Sequence, residues 1–364
     1  METEKTGRPF PAGCSALSWD TADGRHLLGR NLDFTGLAPG TAVQYVPRGI
    51  AYETCAGSGA GARCQARYAA LGTGLLLAPS LPLLYEGVNE CGLMGGQLYY
   101  RNLARYAPAP RPGTAPLQPP VLLYHLLAQC ATVEEAALLL SRRATLVCAP
   151  LLGQVPPLHW VLRDRSGETV VVEPDVNGLH LYRETVGVLT NSPGYPWHLQ
   201  HLRCFSGLRD LDRDGPDVAG LPAPSFSGTG AQGLPGDWTS PSRFVRLAFL
   251  RRYALPGADE PSGVARMFRL LQSVAFPLGP VRLDGPAPAW DAARYTAVLC
   301  GESLRYYWTT YENQRIRFVD LPSLLPRSEP LQFALEHPPE FRACAADAAP
   351  AKWHAVQDDE RLHP

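Results

Sequence analysis

The segment Cys14-Ser-Ala-Leu-Ser-Trp-Asp is followed by the turn pair Asp23-Gly24 and then by Leu28-Gly-Arg30-Asn-Leu-Asp33-Phe. Asp-Gly between two extended patterns, Ser15–Trp19 and His26–Phe34, predicts a β-hairpin. Such a hairpin folds Arg30 and Asp33 back alongside Cys14. A guanidinium beside a thiol favours the thiolate, the reactive form. A nucleophile also needs a base, and none of the 9 histidines lies in a motif typical of a Cys–His hydrolase. One base needs no side chain: the α-amino group of the nucleophile itself, whose ordinary pKa of about 7.7–8.0 suits proton transfer near neutrality. This chemistry requires cleavage of the Gly13–Cys14 bond, so that Cys14 becomes residue one. Taken singly, a strand cysteine is a small core residue and an Arg/Asp pair a surface pair. The hairpin makes the three a candidate site.

The elements that must position them are mostly strands. Extended patterns recur at Tyr68–Leu76, Leu93–Tyr100, His159–Asp164, Thr169–Glu173, Leu179–Arg183, Val186–Thr190, Tyr295–Cys300, Tyr306–Tyr311 and Arg315–Asp320. Helical spacing is seen in Pro120–Cys130, Val133–Arg142 (with Thr132 as its cap), Trp197–Gly207, Ser242–Tyr253 and Pro261–Val274. Many strands and fewer amphipathic helices imply a mixed domain with sheets inside and helices outside. Tyr106–Pro120, Asp210–Pro241 and the tail from His337 read as loops, and the last ~20 residues are expected to pack poorly.

Two other patterns do not support a site. Gly228-Thr-Gly230-Ala-Gln-Gly233 matches the dinucleotide fingerprint in letters, but prolines on both sides deny it the strand and helix it needs. His198, His201 and Cys204 fall at helical spacing without a second ligand cluster, so a metal site is not expected.

The bulk properties exclude several classes. The net charge is -1, with 45% hydrophobic and 18% charged residues, which gives no field for nucleic acid or an anionic membrane. The apolar stretch Leu71–Leu84 is interrupted by Gly72, Gly74, Pro79 and Pro82, so no membrane span is expected. Residues 1–10 lack an apolar signal core. The 9 cysteines include no CxxC pair and read as reduced thiols, consistent with a cytoplasmic enzyme.

Five ordered segments carry a resemblance. They are Cys14-Ser-Ala-Leu-Ser…Gly29-Arg30-Asn31-Leu32-Asp33, Tyr85-Glu-Gly-Val-Asn89-Glu-Cys-Gly-Leu-Met-Gly-Gly-Gln-Leu-Tyr99-Tyr100, Gly187-Val-Leu-Thr-Asn191-Ser-Pro193, Gly233-Leu-Pro-Gly-Asp237-Trp-Thr-Ser-Pro-Ser-Arg243-Phe and Thr310-Tyr-Glu-Asn313. Together they resemble the choloylglycine hydrolase family of N-terminal-nucleophile amidases, which includes penicillin V acylases and bile salt hydrolases. The resemblance implies an α+β fold, a four-layer αββα sandwich with Cys14 at the edge of one sheet. It implies a propeptide-like segment 1–13, a single catalytic domain 14–336, a C-terminal tail 337–364, no cofactor or metal, a small-molecule N-acyl amide substrate and a homotetramer to which Asp210–Pro241 contributes.

The resemblance also implies roles. Cys14 attacks the amide carbonyl and its freed amine shuttles protons. Arg30 supports the thiolate, Asp33 holds the amine and Arg243 orders the charges around Cys14. Asn191 and the backbone N–H of Tyr99 serve as oxyanion donors. Bile salt hydrolases typically carry Asn where this chain has Tyr99, and the penicillin V acylases similar to it carry Tyr. Phenoxyacetyl amide hydrolysis is therefore the main expectation. Bile salt hydrolysis and an inactive ligand-binding member are the alternatives.

Overall fold

The computed structural model describes residues 13–56, 61–78, 80–212, 219–220, 227–284, 287–344 and 348–351. The expected hairpin forms. Strand β1 (Gly13–Asp20) pairs antiparallel with β2 (His26–Phe34), and Gly24, at φ 81°, takes the left-handed position in its turn. The chain continues through β3 (Ala42–Val46), β4 (Ala70–Leu77), β5 (Leu81–Asn89) and β6 (Met94–Tyr99). Helices α1 (Leu122–Gln129) and α2 (Val133–Arg142) precede β7 (Leu158–Arg163), β8 (Thr169–Asp175), β9 (Gly178–Tyr182) and the two-residue β10 (Val188–Leu189). Next come α3 (Tyr195–Leu202), α4 (Ser240–Tyr253) and α5 (Glu260–Gln272). The last main strands are β11 (Ala292–Cys300), β12 (Arg305–Thr310), β13 (Arg317–Asp320) and β14 (Leu331–Phe333).

Two antiparallel sheets result. One has 6 strands in the order β10-β1-β2-β11-β12-β13, the other 8 in the order β9-β8-β7-β6-β5-β4-β3-β14. Helices α4 and α5 cover the outer face of the first, α1 packs on β5 and β6 of the second, and the inner faces meet. This is the expected αββα sandwich. Because each sheet is covered on both faces, its strands read as near-continuous apolar runs rather than clean alternation. All of β1 except Asp20 is buried. Helix α1 is apolar around most of its circumference and almost wholly buried. Helix α2 starts at its expected cap, with Glu135 N–H donating to Thr132 Oγ1 at 3.1 Å.

The structure adds to or departs from the expectations at three places. Strand β5 is not among the extended patterns expected. Pro82 is second in the strand, near its start, where a missing N–H is tolerated. The helix expected at Trp197–Gly207 is Tyr195–Leu202 with a short 3-10 turn after it, since Pro196 suits a first turn. The start of the segment expected as a tail packs on the domain. Pro338 O accepts from Asn313 Nδ2 at 2.7 Å, and Glu340 pairs with Arg315 and Arg317. Residues 1–12 of the propeptide-like segment, 213–218 and 221–226 of the Asp210–Pro241 loop, and 345–347 and 352–364 of the tail lie outside the described residues. Among the described residues, no helix is long and apolar enough to cross a membrane.

The β4–β5 contact is close because both strands carry glycine there. A Cβ on Gly72 would lie 2.0 Å from Glu86 O and 2.7 Å from Gly87 Cα, both backbone atoms that cannot rotate away. Gly72→Ala is expected to destabilise the chain by at least ~1–3 kcal/mol, the usual cost of overpacking. Denaturant unfolding would measure this, and an unchanged midpoint would contradict it.

Candidate active site

Antiparallel register sorts the hairpin's polar groups. Gly13 lies opposite Asp33, Cys14 opposite Leu32 and Ala16 opposite Arg30. Successive side chains alternate between faces, so Arg30 and Asp33, three apart, point to opposite sides of the sheet. The Cys14 thiol and Arg30 share the inner face, where Arg30 Nη2 donates to Cys14 Sγ at 3.3 Å. Asp33 lies on the other side, beside Gly13.

Strand β1 is one place in from the sheet edge, but β10 pairs only with Ala16 and Leu17. At Cys14 the edge is therefore open, and a side chain takes the place of a strand. The Cys14 N–H donates to Asn191 Oδ1 at 2.9 Å. Asn191 Nδ2 donates to Tyr99 O at 2.9 Å, which leaves its second hydrogen unassigned and joins the end of β6 to the start of β1. Arg243 enters from the first turn of α4. Its Nη1 donates to Cys14 O at 2.5 Å and Ser15 Oγ at 2.6 Å, and its Nη2 donates to Asn191 Oδ1 at 2.8 Å. Its guanidinium lies 5.1 Å from the ring centre of Phe276. The structure thus brings Cys14, Arg30, Asn191, Arg243 and the backbone of Tyr99 together, with Asp33 one residue away.

Burial sets the electrostatics. It raises the Cys14 pKa above the ordinary thiol value, against Arg30, Arg243 and the backbone N–H of Tyr99, all of which favour the thiolate. In the chain that retains Gly13, burial thus holds the sulfur as a thiol and a proton acceptor is needed to activate it. Burial likewise pushes Asp33 up to about 7, despite Arg243, the Phe276 N–H and Arg30. Asp33 Oδ1 accepts only a long 3.4 Å contact from Phe276 N–H. Asp33 Oδ2 is buried with no hydrogen-bond partner among the described residues.

Two supporting residues, Glu86 and Ser240, have no role in the sequence reading, and a third, His198, is weighed there only as a metal ligand. Glu86 of β5 accepts from Arg30 Nη1 at 2.6 Å, from Tyr295 OH at 2.8 Å and from Tyr306 OH at 2.6 Å. These four side chains are buried between the sheets. A glutamate inside the apolar run Leu81–Val88 was the available signal. Ser240, at the start of α4, bonds both backbone atoms of Asn191: its Oγ accepts from Asn191 N–H and donates to Asn191 O, each at 2.9 Å. His198 Nε2 also lies 2.9 Å from Asn191 O, and burial pushes its pKa down to about 4, so it is neutral.

The other two patterns do not form sites. His201 stacks on Trp197 at 4.8 Å and Cys204 is exposed, so neither joins His198. Gly228 to Gly233 passes through a short turn, Thr229–Ala231, and opens no α-helix. No group of three or more His, Cys, Asp or Glu able to hold a metal occurs among the described residues.

From Cys14 a cavity of about 580 Å³ opens, lined in part by Arg30, Phe34, Tyr85, Tyr99 and Leu158. Its size is that of a small-molecule site.

A model of the choloylglycine hydrolase family, described as linear amide C–N hydrolases, matches residues 14–325. The chain belongs to the choloylglycine hydrolase family. It is therefore an amide hydrolase of the N-terminal cysteine-nucleophile type. It is 31% identical over 315 residues to a bile salt hydrolase/transferase of Clostridium perfringens, covering 85% of this chain and 92% of that one. It is 30% identical over 310 residues to one of Bifidobacterium longum, covering 84% and 94%. Among solved structures, the conjugated bile acid hydrolase of Clostridium perfringens superposes with a TM-score of 0.82 at 29% identity, covering 91% of this chain and 99% of the other. Two solved variants of that enzyme replace a cysteine and an arginine 16 positions apart, the separation of Cys14 and Arg30. Penicillin V acylase of Agrobacterium tumefaciens superposes at 0.67 with 21% identity, covering 86% and 87%, a likeness of fold alone.

The raised pKa of Asp33 has a consequence in a chain that retains residue 13. Between its ordinary value of 3.8 and about 7, the folded chain keeps a proton that the unfolded chain has released. Stability therefore falls as pH rises through that window. A Cys14→Ala chain whose intact mass shows residue 13 retained is expected to lose unfolding free energy from pH ~4 to ~7, and Asp33→Asn is expected to flatten that slope. Urea melts across the range measure it, and equal slopes in the two proteins would contradict it.

Proposed function

We propose that the chain hydrolyses conjugated bile acids, releasing the amino acid from the acyl group through a thioester on Cys14. One observation carries the choice of substrate. Relatives at 29–31% identity across 84–91% of the chain are named for bile salts or conjugated bile acids, whereas the acylase likeness extends only to fold. The main expectation from Tyr99 is thereby displaced by its alternative. Penicillin V remains a second reading because Tyr99 is present at the cavity wall, its ring 6.3 Å from that of Phe34.

In this mechanism cleavage after Gly13 turns the Cys14 N–H into an amine. The family match begins at this residue. The new ammonium is offered the unpartnered Oδ2 of Asp33, a residue paired with Gly13 across the hairpin. The neutral amine takes the thiol proton, and the thiolate, held by Arg30, attacks the amide carbonyl. The Tyr99 N–H and the second hydrogen of Asn191 Nδ2 stabilise the oxyanion. Collapse breaks the C–N bond, and the α-ammonium gives its proton to the leaving amine. Water, deprotonated by the same amine, then hydrolyses the thioester. Arg243 fixes the acceptor side of Asn191, so that its Nδ2 faces the substrate. The homotetramer belongs to this reading by resemblance to the family.

Activity decides the substrate. The kcat/KM for a glycine-conjugated bile salt, set against that for penicillin V, is expected to lie well above one, and a ratio well below one would return the site to the acylase reading. Asn191→Ala is expected to lower kcat by ~10²–10³ while leaving KM comparatively unchanged, as loss of one oxyanion donor does. A loss confined to KM would remove Asn191 from that role.

A further inference from the structure

Much of the wall of the cavity is apolar, with Leu32, Phe34, Leu37, Leu151 and Leu158 among its residues. Gln97 also lines it. Gln97 lies on β6 two residues before Tyr99, so the two side chains share a face of the strand. It is only 7% exposed, and its Oε1 is buried with no hydrogen-bond partner among the described residues. A buried amide oxygen without a partner is costly, and a native structure that keeps one calls for an explanation. Trp160, opposite Gln97 on β7, carries a buried indole N–H that is likewise without a partner among the described residues, so in this arrangement it does not satisfy Oε1.

We propose that Gln97 is a specificity-determining residue that receives a hydroxyl on the acyl part of the substrate. This rests on the reading of the cavity as the acyl site. A hydroxyl fits either orientation of the amide, since it donates to Oε1 and accepts from Nε2–H. A carboxylate fits less well, because both terminal nitrogens of Arg30, the cation lining the cavity, are engaged by Glu86, Tyr295 and Cys14. A wholly apolar acyl group leaves Oε1 buried and unpaired. The arrangement therefore discriminates mainly by rejecting the substrate that lacks the hydroxyl.

The test compares glycine-conjugated bile acids that differ by one ring hydroxyl, with each hydroxyl position represented, in the wild-type chain and in Gln97→Leu. For at least one pair the wild-type kcat/KM is expected to favour the hydroxylated member by tenfold or more. In Gln97→Leu the ratio is expected to fall towards one while turnover of the member without the hydroxyl is kept. Gln97→Met serves the same purpose if the leucine variant melts below the assay temperature. Identical ratios in wild type and variant for every pair would overturn the proposal. If no bile acid conjugate is turned over, the substrate reading has failed separately. The same comparison with phenoxyacetyl amides, with and without a ring hydroxyl, then decides the role of Gln97 by the same criterion.

Discussion

The side chain of Arg30 crosses from one sheet to the other, and the site is organised around that crossing. Its guanidinium starts on β2, meets Glu86 from β5 of the facing sheet, and ends against the sulfur of Cys14. Tyr295 and Tyr306, from β11 and β12, complete the shell of Glu86. A buried ion pair of this kind repays its desolvation only when its remaining polar groups are satisfied. Here Glu86 accepts from three partners, which fixes the carboxylate and aims the two terminal nitrogens of Arg30, while Arg30 Nε has no hydrogen-bond partner among the described residues. The ordinary gain from such a pair is small. What it supplies is a single position for a positive charge beside a thiol that burial would otherwise keep inert.

The second constraint is the division of labour across β1 and β2. Register places the thiol and Arg30 on the inner face and Asp33 on the outer one. The nucleophile and the group expected to hold its amine therefore reach Cys14 from different sides without competing for space. Asn191 closes the third side. The two-residue β10 stops short of Cys14, and the carboxamide of Asn191 occupies the open edge, held by Arg243 and Ser240 from one turn of α4. Two residues of α4's first turn, Ser240 and Arg243, thus hold Asn191 by its backbone and by its side-chain oxygen.

Much of this was legible in the sequence, and the limits have physical causes. The Asp23-Gly24 turn fixed the hairpin, and strand alternation then placed Arg30 near Cys14. Asn191 and Arg243 were legible only through resemblance, because nothing local links a strand-end Asn to a helix-start Arg 52 residues away. Strand β5 was not read from the sequence, and Pro82 is compatible with it because it lies near the strand's start. Glu86 went unread with that strand, although a carboxylate in a strand covered on both faces needs a buried partner. Ser240 acts through backbone atoms and leaves no pattern. Substrate choice was the least legible part. Tyr99 pointed to an acylase, yet one side chain on a cavity wall weighs less than similarity spread over the whole domain.

The account depends on Cys14 carrying a free amine. The most direct test is to determine the N-terminal residue of the active protein, by intact mass and terminal sequencing of the fraction whose thiol reacts fastest with an alkylating agent. The account predicts that this fraction begins at Cys14 and that modification of Cys14 abolishes amide hydrolysis. Full activity in protein that still carries Gly13 would contradict it.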